Sequence, residues 1–121
     1  MPATLGGGGA AALARRGRLN LIKWSDEGGM VRLGLPGDLD LAMAQPLLDS
    51  LRAAFAAAPA VTVEAAGVER VSTACVQALL VAGRHAAEHN QRFVIAQPSE
   101  SLTEACEDLG LAPWLKQWSP A

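Results

Sequence analysis

The 121-residue sequence predicts a single α/β domain: a mixed four- to five-stranded sheet that opens with an antiparallel hairpin, grows by βαβ units and carries helices packed on it. Three observations lead there. Short runs rich in β-branched and aliphatic residues, clearest at 61–65 and 92–96, alternate with longer stretches whose apolar residues recur at helical spacing. The longer stretches open near hydroxyl residues or Pro and stop at Pro, Asn or Gly. Connections of that length are crossovers and call for parallel pairing, whereas residues 25–29 suffice only for a hairpin.

Taken in order, residues 1–17 are rich in Gly and Ala without apolar periodicity and read as a flexible leader, residues 18–118 as the domain and 119–121 as a tail. Leu5 to Leu13 is too weakly hydrophobic for a signal-peptide core, and Arg15 and Arg16 follow it instead of preceding it. Leu19–Trp24 and Met30–Leu35 alternate as strands about a Ser25–Gly29 turn. Pro36-Gly37 ends the second strand, and Asp38-Leu39-Asp40 leads into a helix with Leu47, Leu48, Leu51, Phe55 and Ala58 inward and Pro46 in its first turn. Val61–Ala65, bounded by Pro59 and Gly67, is expected to be a central strand buried on both faces.

A second helix is expected from Thr73 to His89, with Thr73 as its N-cap, Asn90 just past its end, and Val76, Leu79, Leu80, Gly83 and Ala87 inward. Arg92–Ala96 is the last strand. Ser101-Leu102-Thr103-Glu104 matches a capping box, opening a third helix that buries Leu102, Ala105, Cys106 and Leu109 and stops at Gly110. Leu111, Trp114 and Leu115 should tuck the tail onto the body. Leu51 and Leu79 should be core, while Trp118 and the residues before Leu19 should be dispensable for folding.

Composition excludes several functions. A net charge of −2 with no basic stripe argues against nucleic acid, and no run of about eighteen apolar residues is available for direct membrane insertion. Cys75 and Cys106 lie on separate helices without close metal-type spacing, so two free thiols in a reducing cytoplasm are expected. Gly6–Gly9 lacks the Lys-Ser/Thr of a phosphate loop, and nothing calls for a cofactor. His85-Ala86-Ala87-Glu88-His89 spells H-x-x-E-H, a zinc-peptidase pattern, but it closes a helix with little chain beyond it to supply a third ligand, so no metal is expected. The positive end of the second helix would lower the Cys75 thiol pKa. His85 is almost three turns away, which leaves no Cys-His pair and makes a small buried residue the ordinary role for Cys75. Asp38 and Asp40 suit capping and loop shaping better than acid–base work. With no catalytic set, the chain should not be an enzyme.

The element order, together with Gly37-Asp38-Leu39-Asp40-Leu41-Ala42-Met43-Ala44, Val61-Thr62-Val63-Glu64-Ala65-Ala66-Gly67-Val68 and the loop Ser72-Thr73-Ala74-Cys75, resembles the STAS family, named for sulfate transporters and anti-sigma-factor antagonists. The family pattern runs roughly G-E-L-D-x-x-x-A, V-x-L-D-L-S-G-V and D-S-S-G-L, and the resemblance spans Leu19 to about Leu115. It implies a STAS-type fold and a non-enzymatic, cytoplasmic, bacterial regulatory module of the anti-sigma-antagonist kind, acting in signal transduction. Its protein partner would be an anti-sigma or histidine-type kinase, a chemotaxis component or an ABC ATPase. In partner-switching antagonists the second serine of D-S-S-G is phosphorylated. Here Ser72 falls on the Asp, Thr73 on the first Ser, Ala74 on the phosphorylated Ser and Cys75 on the Gly, so Thr73 or Ser72 is the hydroxyl left for a phosphate. Ser72-Thr73-Ala74 is also similar to the D-T-A-G variant of the small STAS subunit in phospholipid-transport ABC complexes, whose threonine lies at the ATPase contact. The implied partner surface is Asp40, Ser72, Thr73 and Gln77. The sequence leaves the partner and the oligomeric state open.

Overall fold

The computed structural model describes residues 22–120, so the leader, Leu19–Leu21 of the expected first strand and Ala121 lie outside the described residues. Strand β1 (Lys23–Asp26) pairs antiparallel with β2 (Met30–Gly34). Gly28 and Gly29, with φ of 60° and 83°, occupy the two central turn positions, and the Glu27 amide donates to the Met30 carbonyl at 2.8 Å. Positive φ at both positions is what a tight hairpin matched to strand twist requires. The turn is therefore shorter than Ser25–Gly29, because Ser25 and Asp26 belong to the strand.

After β2 the chain forms β3 (Asp38–Leu39), a 3-10 turn (Leu41–Met43), α1 (Ala44–Ala57), β4 (Ala60–Glu64), β5 (Arg70–Val71), α2 (Thr73–Glu88), β6 (Arg92–Ala96), α3 (Glu100–Asp108) and α4 (Ala112–Trp118). The main sheet has the order β1-β2-β4-β6, with β2, β4 and β6 parallel and in register at Val31, Val61 and Phe93. A second, two-stranded parallel sheet pairs Asp38 with Arg70 and Leu39 with Val71. The sequence reading lacked β3, β5 and α4.

One face of the main sheet builds the core. Val31, Leu33, Val61, Val63, Phe93 and Ile95 pack against Leu47, Leu51 and Phe55 of α1, Val76 and Leu79 of α2, Leu102 and Cys106 of α3, and Leu115 of α4. The expectation that the central strand is buried on both faces is corrected: along β4, Val61 and Val63 are buried, Thr62 is half-buried and Glu64 is exposed. Strands covered on one side only alternate in this way. On the open face Arg32 bridges strands, donating from Nε to Glu27 Oε2 at 3.1 Å and from Nη1 to Glu64 Oε2 at 2.8 Å. Those bonds hold the Arg32 pKa above, and the Glu27 pKa below, their ordinary values.

The helices show three further corrections. The inward face of α2 is Cys75, Val76, Ala78, Leu79, Ala82, Gly83 and Ala86, so Ala87 is exposed and Leu80 only half-buried. Helix α3 starts two residues before the expected box: Ser99 is its cap and accepts from the Leu102 amide at 3.1 Å, and Leu109 is 44% exposed. Trp118 is not peripheral. Its ring lies 5.6 Å from that of Phe93, and a Cβ on Gly83 would meet its Nε1 at 3.0 Å. Asn90 and Gly110 do take left-handed conformations just past their helices, with φ of 55° and 75°.

Candidate functional site

Two loops converge where the parallel strands end. The Gly37 carbonyl accepts from the amides of Glu69 and Arg70 at 2.7 and 3.0 Å, and the Leu39 carbonyl accepts from the Ser72 amide at 2.7 Å. The segment after β2 is thereby stitched to the segment before α2, which no local periodicity would show. Arg70 Nη2 and Asp38 Oδ2 lie 3.9 Å apart with the arginine 81% exposed, a contact worth little beside the backbone bonds.

Ser72, not Thr73, caps α2. Its backbone is extended (φ −79°, ψ 156°) and its Oγ accepts from the Cys75 amide at 3.2 Å. The Leu39–Ser72 bond ends the loop at Ser72, so the next residue already has helical geometry. Thr73 is therefore the first helical residue, with an exposed side chain, and the Thr73 and Ala74 amides are donors that an α-helix leaves without an internal partner.

Asp40 is the corresponding cap in the preceding loop, its Oδ1 accepting from the Met43 amide at 3.2 Å at the head of the 3-10 turn. Its carbonyl accepts from Cys75 Sγ at 3.3 Å, joining the two helix starts. Cys75 is fully buried, and burial pushes its thiol pKa up, opposed by the Ser72 hydrogen bond and reinforced by the Asp40 charge. The expected lowering is thus corrected: loss of water is the largest influence on this thiol, which is a packed group in place of a nucleophile. Cys106 is buried with its thiol likewise raised, and both cysteines are free.

Asp40, Ser72 and Thr73 thus come together. Gln77 stands one turn further along the exposed stripe of α2, four residues from Thr73, and borders a separate hollow beside Trp114 and Trp118. Sequence reasoning missed Leu41, 73% exposed beside Asp40, and Val81, 50% exposed on the same stripe as Thr73 and Gln77. A helical projection from Thr73 would have found Val81; Leu41 carried no signal, because a 3-10 turn of three residues has no periodicity to read.

The histidines are engaged elsewhere. His85 Nε2 donates to Gln91 Oε1 at 2.8 Å, His89 Nδ1 donates to the His85 carbonyl at 2.9 Å, and the two rings stack 4.1 Å apart. Among the described residues no three His, Cys, Asp or Glu side chains are grouped to hold a metal, and no helix is long and apolar enough to cross a membrane.

The family model described as "Mlab, STAS domain" matches residues 20–115, which includes every element of this site. The chain belongs to the STAS-domain family. Solved structures similar to this STAS domain include anti-sigma factor antagonists. SpoIIAA in its unphosphorylated form shares 18% identity over 78% of this chain and 84% of its own, with a TM-score of 0.67. Bacillus SpoIIAA in its phosphorylated form shares 18% identity over 78% of this chain and 87% of its own, at 0.64. An anti-sigma factor antagonist from Mycobacterium paratuberculosis shares 17% over 83% and 82%, at 0.67. At these identities the likeness is one of fold. A search of curated protein sequences gives no match.

Proposed function

We propose that this STAS domain is a non-enzymatic cytoplasmic regulatory module that binds a kinase or other signalling protein through the Thr73 loop and the helix behind it. The observation that carries this reading is Thr73 itself: an exposed hydroxyl on the first turn of a 16-residue helix, beside two orphan amides and the exposed Leu41, on a frame anchored by buried strands. Such a turn accepts negative charge readily, so a phosphate on Thr73, or on Ser72, would alter partner affinity without unfolding the domain. Anti-sigma factor antagonists share the fold, and one of them has been solved with and without its phosphate.

A second reading, an accessory subunit of a phospholipid-transport ABC ATPase, is favoured by Ala74, which removes the hydroxyl from the position that antagonists modify, and by the Mlab description of the matching family model. Pull-down and mass spectrometry separate the two: a GHKL-type kinase or chemotaxis component supports signalling, and an ATPase with a Walker motif supports transport. For the recovered partner, Thr73→Glu should weaken binding about tenfold or more. The domain's melting temperature should hold or rise slightly, because a carboxylate at a helix start contributes about 0.3–1 kcal/mol. Unaltered binding by the glutamate variant would place the contact surface elsewhere.

A further inference from the structure

Between the C-terminal halves of α1 and α2 lies a groove of about 480 Å³, floored by Leu51, Phe55 and Val81 and edged by Arg52, Arg84 and His85. Three observations bear on its occupant. Its floor is apolar and includes Val81, half exposed to solvent. Arg52 and Arg84 join no ion pair among the described residues, where the bridged arginines are Arg32 and Arg70. Glu88 is the one carboxylate in the lining, so the groove is locally cationic on a chain whose net charge is −2.

We propose that this groove seats an amphipathic helix of the partner protein, with an apolar stripe on the Leu51–Val81 floor and acidic residues facing Arg52 and Arg84. The inference rests on the partner-binding reading and names the chemistry of the partner. A guanidinium left without a carboxylate offers a fork of donors matched to one, while the apolar floor takes side chains at i, i+3, i+4 and i+7. A small apolar acid fits less well, because ligand sites of that kind enclose most of the molecule and this one is a trough between two helices. Val81 is eight residues from Thr73, about 12 Å along the helix axis. A partner helix of three or four turns therefore reaches from the groove to the Thr73 loop.

The test uses the full chain and two synthetic helical peptides with the same leucine stripe, one flanked by Glu and the other by Lys, followed by fluorescence anisotropy. The Glu peptide should bind at least about tenfold more tightly than the Lys peptide, and 0.5 M salt should reduce the difference. Arg52→Glu with Arg84→Glu should reverse the order, with thermal melts confirming that the variant is folded. Should that variant not fold, the milder Arg52→Gln with Arg84→Gln should erase the preference. Equal or absent binding of the two peptides overturns the proposal, as does displacement of the Glu peptide by oleate or self-association of the chain through this face. Because the peptides probe the groove alone, the result stands whatever Thr73→Glu does to the recovered partner.

Discussion

The two ends of α2 are held by different forces. At the N-terminal end the fastening is by hydrogen bonds: Ser72 amide to Leu39 carbonyl, Cys75 amide to Ser72 hydroxyl, and Cys75 thiol to Asp40 carbonyl. At the C-terminal end it is by rings. Trp118 and Trp114 close over Gly83, Phe55 packs 4.9 Å from His85, and Gln91 donates to the Phe55 and Ala58 carbonyls while accepting from His85. A hydrogen-bonded end leaves its outer face polar, as Thr73 shows, whereas the ring-packed end leaves an apolar trough along Phe55 and Val81. One helix thus presents a polar surface at its start and an apolar one toward its finish.

The ring-packed end should be the more sensitive of the two to substitution. Trp118→Ala should destabilise the domain by about 1–3 kcal/mol, less than the roughly 3–5 typical of a fully buried tryptophan because Trp118 is only partly buried. Gly83→Leu should cost a similar amount by overpacking, since even a methyl there would lie 3.0 Å from the indole nitrogen. The two changes disrupt one contact, so urea melts of the double variant should show less than the sum; full additivity would mean that the indole and the glycine do not depend on each other.

At the hydrogen-bonded end the effects are smaller and discriminate between adjacent hydroxyls. Ser72→Ala should cost about 0.5–2 kcal/mol and be restored by Ser72→Asp, another good cap. Thr73→Ala should stay within about 0.5 kcal/mol. The opposite ranking in thermal melts would return the cap to Thr73.

The hydrogen-bonded end should also carry a small pH response. Burial raises the Cys75 pKa above 9.0, so the unfolded chain releases that proton first. The contribution is therefore complete below about pH 9 and lost as pH rises through the folded value. Melting between about pH 7 and 10 should fall more steeply for the wild type than for Cys75→Ala, with Cys106→Ala as the control for the other raised thiol. Equal slopes for the wild type and Cys75→Ala would remove the thiol from the pH response.

Much of this fold was legible because its longer elements carry their own pattern. The 14- and 16-residue helices and the five-residue strands each repeat an apolar period, and Asn90 and Gly110 mark helix ends through a conformation few residues adopt. What stayed hidden is non-local. Strands β3 and β5, two residues each, exist only because Gly37 and Leu39 meet residues some thirty positions away. The same meeting decides the cap, since Ser72 and Thr73 are both capping residue types and the bond of the Ser72 amide to the Leu39 carbonyl fixes which one ends the loop. Helix α4 is seven residues long and owes its place to Trp114, Leu115 and Trp118 meeting α2 and β6. At the candidate site the residue types were legible, and their convergence was legible only through the resemblance.

The Gly28-Gly29 hairpin has a kinetic consequence. Its two strands close over a tight turn, whereas every other pairing in the main sheet closes over an entire helical crossover. Hairpins of this kind form in about 1–10 μs, while parallel pairings must first meet the entropy of a long loop, and topologies rich in such pairings are slower to fold. β1–β2 is thus expected to close before β4 adds to the free edge of β2, an order that the folding kinetics of Gly28 and Gly29 variants would check. A residue other than glycine at position 28 or 29 is expected to act first on the rate of folding, at the opposite end of β2 from the Gly37 loop.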